Sequence, residues 1–233
     1  GDAQLSEEAL EAIRPYKTIA LFAAVNFVHK LEDVRTQLEE AGHKIIITKA
    51  ARTKVAGQIL GCDSYSHAFE DNIFDQADVL LYLGDGAFHP DALLFAQIYE
   101  GHKPLTVYRW NPIEQKVIID TTEKIADKKK KIKGNILRFT LAKKIGILVT
   151  IKHGQEYLKL AEQLKQKLEA EGRQAYIFID NTFDFRKIED YNFIDCWVNT
   201  ACPRIGQDDG VVIERPIINI REAMEPKAYL KNL

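Results

Sequence analysis

The sequence predicts an α/β protein made of two repeated parallel-sheet domains with helices on both faces. Short β-branched runs alternate with segments of helical periodicity, and the order strand, helix, strand occurs twice. Residues 38–50, LEEAGHKIIITKA, also align without a gap with residues 168–180, LEAEGRQAYIFID. Because strands of a parallel sheet are buried on both faces, they read as continuous apolar runs like these.

The first repeat opens with a strand, a helix and a second strand. Residues 17–23 form a short apolar run, and residues 27–40 carry apolar side chains at helical spacing. Gly42 follows in the place of a C-cap glycine, and the β-branched run 44–48 is the second strand.

The second repeat has the same order. A strand over residues 144–149 precedes a helix over 155–171, Gly172 ends that helix, and residues 175–179 form the next strand. The alignment predicts that the strands at 18–23 and 145–149 are equivalent.

Each repeat continues into a third strand that ends in a loop. Residues 77–83 run into a Gly-Asp-Gly turn, and residues 194–199 run into the segment 200–204. Ligands of open parallel sheets bind outside the carboxyl ends of strands. These two loops and the turn at Gly61 and Cys62 are therefore the candidate site.

The repeats set the predicted domain limits. We expect a leading helix at 1–15, one domain at 16–138 and a second at 139–233. The lysine run 128–131, with Lys133, is interpreted as a solvent-exposed helix end or linker.

Composition narrows the functional classes. The chain has 233 residues, 46% of them hydrophobic, and its 32 basic and 34 acidic side chains give a net charge of -2. This balance gives no global attraction to nucleic acid or to an anionic membrane. With no apolar run long enough to span a bilayer and an acidic, polar beginning, the expected compartment is the cytoplasm.

Three cysteines are too few for a disulfide framework. Cys196 lies in an apolar strand pattern and is predicted to be a core residue. Cys62 and Cys202 lie in turns, where a structural role and a ligand role remain equally open. The lack of a CxxC pair argues against a zinc ribbon and a thioredoxin-type redox pair, whereas single thiolates from separate repeats can hold an iron-sulfur cluster.

Several motifs closely resemble those of the diphthamide synthase family. The members of this family are atypical radical S-adenosylmethionine enzymes. The match covers nearly the whole chain. The motifs are LGC at 60–62, GDGAFHP at 84–90, IKHGQ at 151–155, NTACPR at 199–204, DD at 208–209 and RPIIN at 215–219.

The resemblance implies a transferase with two cofactors, a 4Fe-4S cluster and S-adenosylmethionine. The family transfers a 3-amino-3-carboxypropyl group to a histidine of translation elongation factor 2, the first step of diphthamide synthesis. Each of its three repeated domains gives one cysteine to the cluster, and Cys62 and Cys202 match the second and third of these. The implied partners are elongation factor 2 and a second copy or a paralogous subunit, with no nucleic acid or membrane.

Further site residues follow from the resembling loops. Gly84, Asp85 and Gly86 are expected to let backbone amides approach the cofactor. We expect the remaining cofactor contacts to come from His89, Gln155 and Asp208. For His89 the alternative is a capping or packing role, and for Asp208 it is a role in ordering the turn.

The chain also departs from the family. It shows two repeats instead of three, and no cysteine matches the first cluster ligand. Either a truncated enzyme or a degenerate paralogue that takes the absent ligand from a partner would explain these departures. The compact repeats look more like an archaeal homodimeric member than a eukaryotic subunit. Cys196 is a poor substitute for the absent ligand.

Two other classes of function remain open. One is a two-domain module that binds a small ligand without a cluster, and the other is a non-catalytic subunit of the synthase. The sequence contains no GxxxxGK[ST], GxGxxG or GxSxG motif, which argues against a nucleotide hydrolase and an α/β hydrolase.

Overall fold

The computed structural model of the protein describes residues 4–99, 103–152, 157–205 and 213–233. The chain divides into two compact units between Lys128 and Lys129, inside a helix that runs from Thr122 to Leu141. The predicted domain boundary after residue 138 lies near the end of the same helix and stays a prediction. Each unit has its own sheet with helices, so the α/β class is confirmed.

The first unit contains a five-stranded sheet in the order β2-β1-β3-β4-β5. The first four strands in this order pair in parallel, so their carboxyl ends share one edge of the sheet. The strands are Thr18–Ala23 (β1), Lys44–Ile46 (β2), Val79–Leu83 (β3), Val107–Asn111 (β4) and Lys116–Asp120 (β5).

The antiparallel strand β5 departs from the predicted parallel sheet. It returns from β4 through a turn in which the Asn111 side chain accepts hydrogen bonds from the N–H groups of Ile113 and Glu114, at 3.0 and 3.3 Å. Within β5 the consecutive residues Ile118 and Ile119 are both exposed, at 46% and 44%. The strand therefore lacks the alternation that a sequence pattern needs to reveal an edge strand.

Helices cover both faces of this sheet, as predicted. On one face, Ile19 and Leu21 of β1 belong to a core that includes buried residues of α1 and α2. On the other face, Phe22 packs edge-on against Phe69, with 5.6 Å between ring centroids, and Phe69 packs against Phe74 of α3. The helices of this part of the chain are Glu7–Ile13 (α1), Leu31–Glu40 (α2), Ile73–Gln76 (α3), Pro90–Ala96 (α4) and Thr122–Leu141 (α5).

Helix α2 begins later than the spacing predicts. A 3-10 turn over Val28–Lys30 precedes it, and the α-helix starts at Leu31. Neither Phe27 nor Lys30, the residues before these elements, makes a side-chain capping hydrogen bond. Without such a cap, the tighter 3-10 geometry satisfies part of the first turn.

The second unit contains a four-stranded parallel sheet in the order β7-β6-β8-β9. Its strands are Lys144–Thr150 (β6), Gln174–Asp180 (β7), Cys196–Asn199 (β8) and Ile217–Asn219 (β9). Its helices are Leu158–Ala170 (α6), Phe185–Ile188 (α7), Ile220–Met224 (α8) and Pro226–Asn232 (α9).

The central strands β6 and β8 of the second unit are likewise buried on both faces. Ile145 and Ile147 of β6 pack in one core with Leu164 of α6. Leu148 and Trp197 point to the opposite side and belong to a second core. This arrangement matches the continuous apolar runs of the sequence.

One carboxylate interaction occurs in the same place in both units. Asp78 Oδ2 accepts hydrogen bonds from the backbone N–H groups of Lys17 and Thr18, at 3.0 and 2.7 Å. Asp195 Oδ2 accepts from Lys143 and Lys144, at 2.9 and 2.8 Å. Each aspartate immediately precedes the third strand of its repeat, so β1 and β6 occupy equivalent places.

The helix ends repeat as well. Gly42 and Gly172 follow α2 and α6 with φ of +93° and +78°, the left-handed conformation that favours glycine. In both cases the N–H of the next residue reaches back to the helix, to the carbonyl of Leu38 or Leu168, at 3.0 Å. This agreement confirms the register in which the two halves of the sequence align.

The lysine run lies in the middle of α5, so the helix-end interpretation is wrong, whereas the boundary between the two compact units falls within the run. Lys130 and Lys131 are exposed, whereas Lys128 and Lys129 are half-buried, so the predicted exposure holds for only part of the run. The Lys128 ammonium lies 4.0 Å from the centroid of the Phe95 ring, which explains its burial.

None of the helices in the described ranges combines the length and the apolar character that crossing a membrane requires.

Gly146 of β6 provides a test of the second sheet. A Cβ at this position would lie 2.2 Å from Cζ3 of Trp197, whose side chain is fully buried. We expect Gly146→Ala to lower the free energy of unfolding by about 2 kcal/mol because the indole has no room to move. Urea denaturation followed by circular dichroism measures the change.

Gly134 in α5 is the matched control. Nothing lies within 4 Å of the Cβ that an alanine would add there. Gly134→Ala should therefore raise the free energy of unfolding by about 0.5–1 kcal/mol through helix propensity. Equal stabilities for the two variants would contradict this packing of Trp197.

Candidate functional site

Cys62 lies in a turn beside the carboxyl end of β1. The N–H of Ile59 donates to the carbonyl of Ala23 at 3.2 Å, which joins this segment to the strand end. The N–H of Asp63 then donates to the carbonyl of Leu60 at 3.0 Å, and the N–H of Leu60 donates to Asp63 Oδ2 at 2.8 Å. The turn is closed by two hydrogen bonds, and it presents Cys62 half-exposed.

Asp63 is a buried carboxylate, with 1% of its surface exposed. Burial raises the pKa of Asp63 above its ordinary value, while the Leu60 N–H and the charges of Arg52 and His89 act in the opposite direction. No sequence pattern marks this residue, because an aspartate in a turn is usually solvent-exposed.

The loop after β3 contacts the Cys62 turn. A Cβ on Gly61 would lie 2.0 Å from Cε1 of Phe88, so the aromatic ring rests directly on this glycine. Phe88 in turn contacts the His89 ring, with 5.5 Å between centroids. The structure therefore brings together the two loops of the first unit that the sequence predicts to form a site.

The turn at Gly84, Asp85 and Gly86 has fewer backbone amides available for a cofactor than the sequence predicts. The N–H of Gly84 donates to the carbonyl of Trp110 at 2.9 Å and is therefore already used. Gly86 has φ of +70°, and Asp85 is exposed. A Cβ on Gly84 would lie 2.7 Å from the hydroxyl oxygen of Tyr82, a buried residue that the sequence motifs do not mark.

His89 is half-buried and occupies the residue before α4, as predicted, and Pro90 begins the helix. Its side chain makes no capping hydrogen bond to the helix. The capping alternative is therefore not supported, and the packing contact with Phe88 remains.

Cys202 lies in a loop held by two buried asparagines of the second unit. Asn199 Nδ2 donates to the carbonyl of Cys202 and to Oδ1 of Asn219, both at 2.9 Å. Asn199 Oδ1 accepts from the N–H of Ala201 at 3.1 Å, and the N–H of Ile205 donates to the Cys202 carbonyl at 3.0 Å. Cys202 is half-exposed, like Cys62.

Cys196 is a core residue, as predicted. Its side chain is fully buried at the start of β8, and burial strongly raises the pKa of its thiol. It pairs with Ile145 as Val79 pairs with Ile19 in the first unit. A cysteine in the place of a core valine is not presented to a ligand.

Two of the predicted cofactor contacts, Gln155 and Asp208, lie outside the described residues. Among the residues that are described, no three histidine, cysteine or acidic side chains form a group that could hold a metal ion. Cys62 belongs to the first unit and Cys202 to the second, and no disulfide involves either.

Comparison with known proteins identifies the family. The model of the family described as "Putative diphthamide synthesis protein" matches residues 2–225. The chain belongs to this family. The resemblance seen in the sequence motifs is thereby confirmed.

Individual relatives agree with this assignment. The chain is 30% identical to 2-(3-amino-3-carboxypropyl)histidine synthase subunit 1 of Neurospora crassa, over 90% of this chain and 44% of that protein. It is 28% identical to 2-(3-amino-3-carboxypropyl)histidine synthase of Pyrococcus horikoshii, over 94% of this chain and 59% of that protein. The chain thus spans about half the length of these diphthamide synthesis relatives.

Solved structures show the same fold. The crystal structure of Dph2 from Pyrococcus horikoshii matches with a TM-score of 0.75 and 25% identity, over 95% of this chain and 60% of that one. A second crystal structure of that protein, which contains a 4Fe-4S cluster, matches with a TM-score of 0.72 and 24% identity, over 96% of this chain and 61% of that one.

Asp63 offers a test of how the Cys62 turn is held. Asp63→Ala removes the acceptor for the Leu60 N–H, so the turn should open and Cys62 should react faster with iodoacetamide. We expect about a fivefold increase, since one such hydrogen bond contributes about 1 kcal/mol. Mass spectrometry measures the alkylation of Cys62 relative to Cys202 in the same molecule.

Asp63→Asn is the matched control because it removes the same charge and keeps an acceptor oxygen. Its Cys62 rate should stay within about twofold of the wild-type rate, as the turn hydrogen bond is kept. Equal acceleration in both variants would show that the charge, and not the hydrogen bond, limits the reaction.

Proposed function

We propose that this chain takes part in the first step of diphthamide synthesis. In this proposal a 3-amino-3-carboxypropyl group passes from S-adenosylmethionine to a histidine of translation elongation factor 2, with a 4Fe-4S cluster as the second cofactor. The observation that carries it is the presentation of Cys62 and Cys202. Each is half-exposed in a loop fixed by a buried polar side chain, Asp63 or Asn199.

The cysteines of this chain would supply some of the ligands that a cubane 4Fe-4S cluster needs. Thiolates are the ligands such clusters take, and a cluster with one open iron needs three of them. Cys62 and Cys202 supply two, whereas the Cys196 thiol is buried in the core of the second unit. In this proposal the third thiolate therefore comes from a segment other than these two repeats.

The protein's contribution is to bind and orient the cofactors. When bound and reduced, the cluster supplies the electron that cleaves the bond between sulfur and Cγ of S-adenosylmethionine. The loop after β3 is the proposed binding surface for S-adenosylmethionine, because Phe88 holds it against the Cys62 turn. Gln155 and Asp208 remain proposed contacts to the same cofactor.

The proposed partners are elongation factor 2, as the protein substrate, and a second copy or a paralogous subunit. The relative in Neurospora crassa is named as subunit 1 of its synthase, which supports an assembly of more than one chain. A multi-subunit enzyme would also provide a source for the third thiolate.

A role as a non-catalytic subunit is the second candidate. The observation that favours it is the burial of Cys196, because only two of the three cysteines are in position to bind iron. Such a subunit would share a cluster with its partner and show no turnover alone.

Iron binding tests the ligand assignment. After anaerobic incubation with iron and sulfide, we expect Cys62→Ser and Cys202→Ser each to lose most of the iron that the wild-type chain binds, because each removes one of two thiolates. Iron and sulfide analysis with the iron-thiolate absorption measures the loss.

Cys196→Ala serves as the control. It should leave iron binding unchanged and lower the free energy of unfolding by about 1 kcal/mol through lost packing. Loss of iron only in this variant would contradict the assignment and make Cys196 a ligand. Binding of no iron by the wild-type chain, even together with a segment that supplies the third thiolate, would leave the small-ligand module as the better interpretation.

A further inference from the structure

Strand β7 forms an edge of the second sheet. It pairs with β6 on one side, and no strand within the described ranges pairs with its other side. The N–H of Gln174 donates to the carbonyl of Lys143, at the start of β6, at 2.8 Å. Because backbone groups alternate in direction along a strand, the N–H and C=O groups of Ala175, Ile177 and Ile179 point away from β6. These three residues therefore form the hydrogen-bonding edge of β7.

Most of this edge is open. Of the backbone groups that point away from β6, the described part of the chain gives a partner only to the Ala175 carbonyl. That carbonyl accepts a hydrogen bond from the Lys165 ammonium at 2.7 Å. A carbonyl has two lone pairs, so it can accept a second bond.

The equivalent edge of the first unit is covered by its own chain. Lys49 aligns with Ile179, and its carbonyl accepts a hydrogen bond from the N–H of Glu70 at 3.0 Å. Ala50 forms a bridge with Phe69 in the same segment. Proteins protect strand edges by such cover and by lysine side chains, because an unprotected edge pairs with another chain. The second unit has isoleucine in place of that lysine, and Ile179 is 55% exposed.

Four aromatic side chains form a patch beside this edge. Tyr176 of β7 packs edge-on against Phe193, with 5.4 Å between ring centroids, and Phe178 packs against Tyr191 at 4.7 Å. Phe178 and Tyr191 also contact the buried Trp197, which fixes the patch on the core. All of these rings except Phe178 and Trp197 are classed by their exposure as surface residues. Exposed, rigid aromatic side chains of this kind are typical of protein–protein interfaces.

The sequence of β7, QAYIFID, is complementary to itself when two copies run antiparallel. With Ile177 opposite its own copy, the other residues of the two strands are paired as follows: Gln174 with Asp180, Ala175 with Ile179, and Tyr176 with Phe178. The outward-pointing residues then form the hydrogen-bonded pairs, and the aromatic residues form the closer pairs between them. Aromatic pairs across strands are stabilising, and no two like charges meet within the strand.

We propose that β7 pairs with β7 of a second copy of this chain, antiparallel and centred on Ile177, to form one eight-stranded sheet. A two-fold axis perpendicular to the sheet relates the copies, so the assembly closes as a dimer and the two aromatic patches adjoin on one face. The inference rests on the proposed function only for the role of the second copy in the enzyme. It assigns the surface at which that copy binds, and its test needs no cofactor.

Ile179→Lys tests the interface in the full chain. It gives β7 the lysine that the first unit has, and in the dimer this side chain lies beside Lys165 of the other copy, whose ammonium is held at the Ala175 carbonyl. Sedimentation velocity over a range of concentrations should show a dimer for wild type. The dimer dissociation constant should be at least tenfold higher for Ile179→Lys, because like charges meet twice in a symmetric dimer. Circular dichroism should show that this exposed substitution leaves the fold intact.

Ile118→Lys is the matched control. It makes the same change at an exposed isoleucine of β5, an edge strand of the first unit. Its dimer dissociation constant should equal that of wild type, because β5 takes no part in the proposed interface.

Disulfide formation tests the register. Ile177→Cys places two thiols at the two-fold axis, with Cα atoms about 5.5 Å apart, a distance that a disulfide spans. Gln174→Cys is the control, because its two copies lie about 20 Å apart along the paired strands. After oxidation, non-reducing electrophoresis and peptide mass spectrometry should find a dimer linked through position 177 and none linked through position 174.

Each outcome decides for or against this interface. A wild-type chain that stays monomeric at every concentration would overturn it, whereas the proposed function would stand through a paralogous subunit. A dimer that is lost in Ile118→Lys and kept in Ile179→Lys would also overturn it, as would a link through position 174 instead of 177. A dimer with the expected link, in a chain that binds no iron when the third thiolate is supplied, would support the interface and contradict the proposed function.

Discussion

The end of β1 is the point on which the first unit's site depends. Ala23 donates its N–H to the carbonyl of Gly57 at 2.8 Å and accepts from Ile59, while the N–H of Ala24 donates to the carbonyl of Leu83 at 3.0 Å. These backbone bonds join three segments that are far apart in sequence. They place the Cys62 turn beside the loop after β3 before any side chain is considered, and Phe88 then packs across both.

The two units have equivalent strands, but they differ in the loops at the carboxyl ends of those strands. Asp78 and Asp195 make the same pair of hydrogen bonds at the start of the sheet, far from the strand ends where the loops emerge. The cysteines follow different strands: Cys62 comes after β2 and Cys202 after β8. Repetition therefore constrains the amino end of each sheet strongly, and it leaves the loops at the carboxyl end to diverge.

Periodicity predicted the parts of the fold that are buried on two faces, because β1, β3, β6 and β8 are continuous apolar runs. It missed the buried strand β4 and the short strand β9, and it missed β5, where Ile118 and Ile119 are both exposed. The cysteine turns could be found from motifs, and the burial of Cys196 from its neighbours. Asp63 could not, because its importance comes from which group its side chain meets in space, and composition and spacing do not encode that.

The hydrogen bond between Asn199 and Asn219 has a consequence for the order of folding. The Cys202 loop is held by Asn199, and Asn199 is itself oriented by a side chain that enters with β9. During synthesis from the amino end, the loop is complete in sequence well before Asn219 emerges from the ribosome. Cys202 therefore reaches its final setting only after the last strand docks.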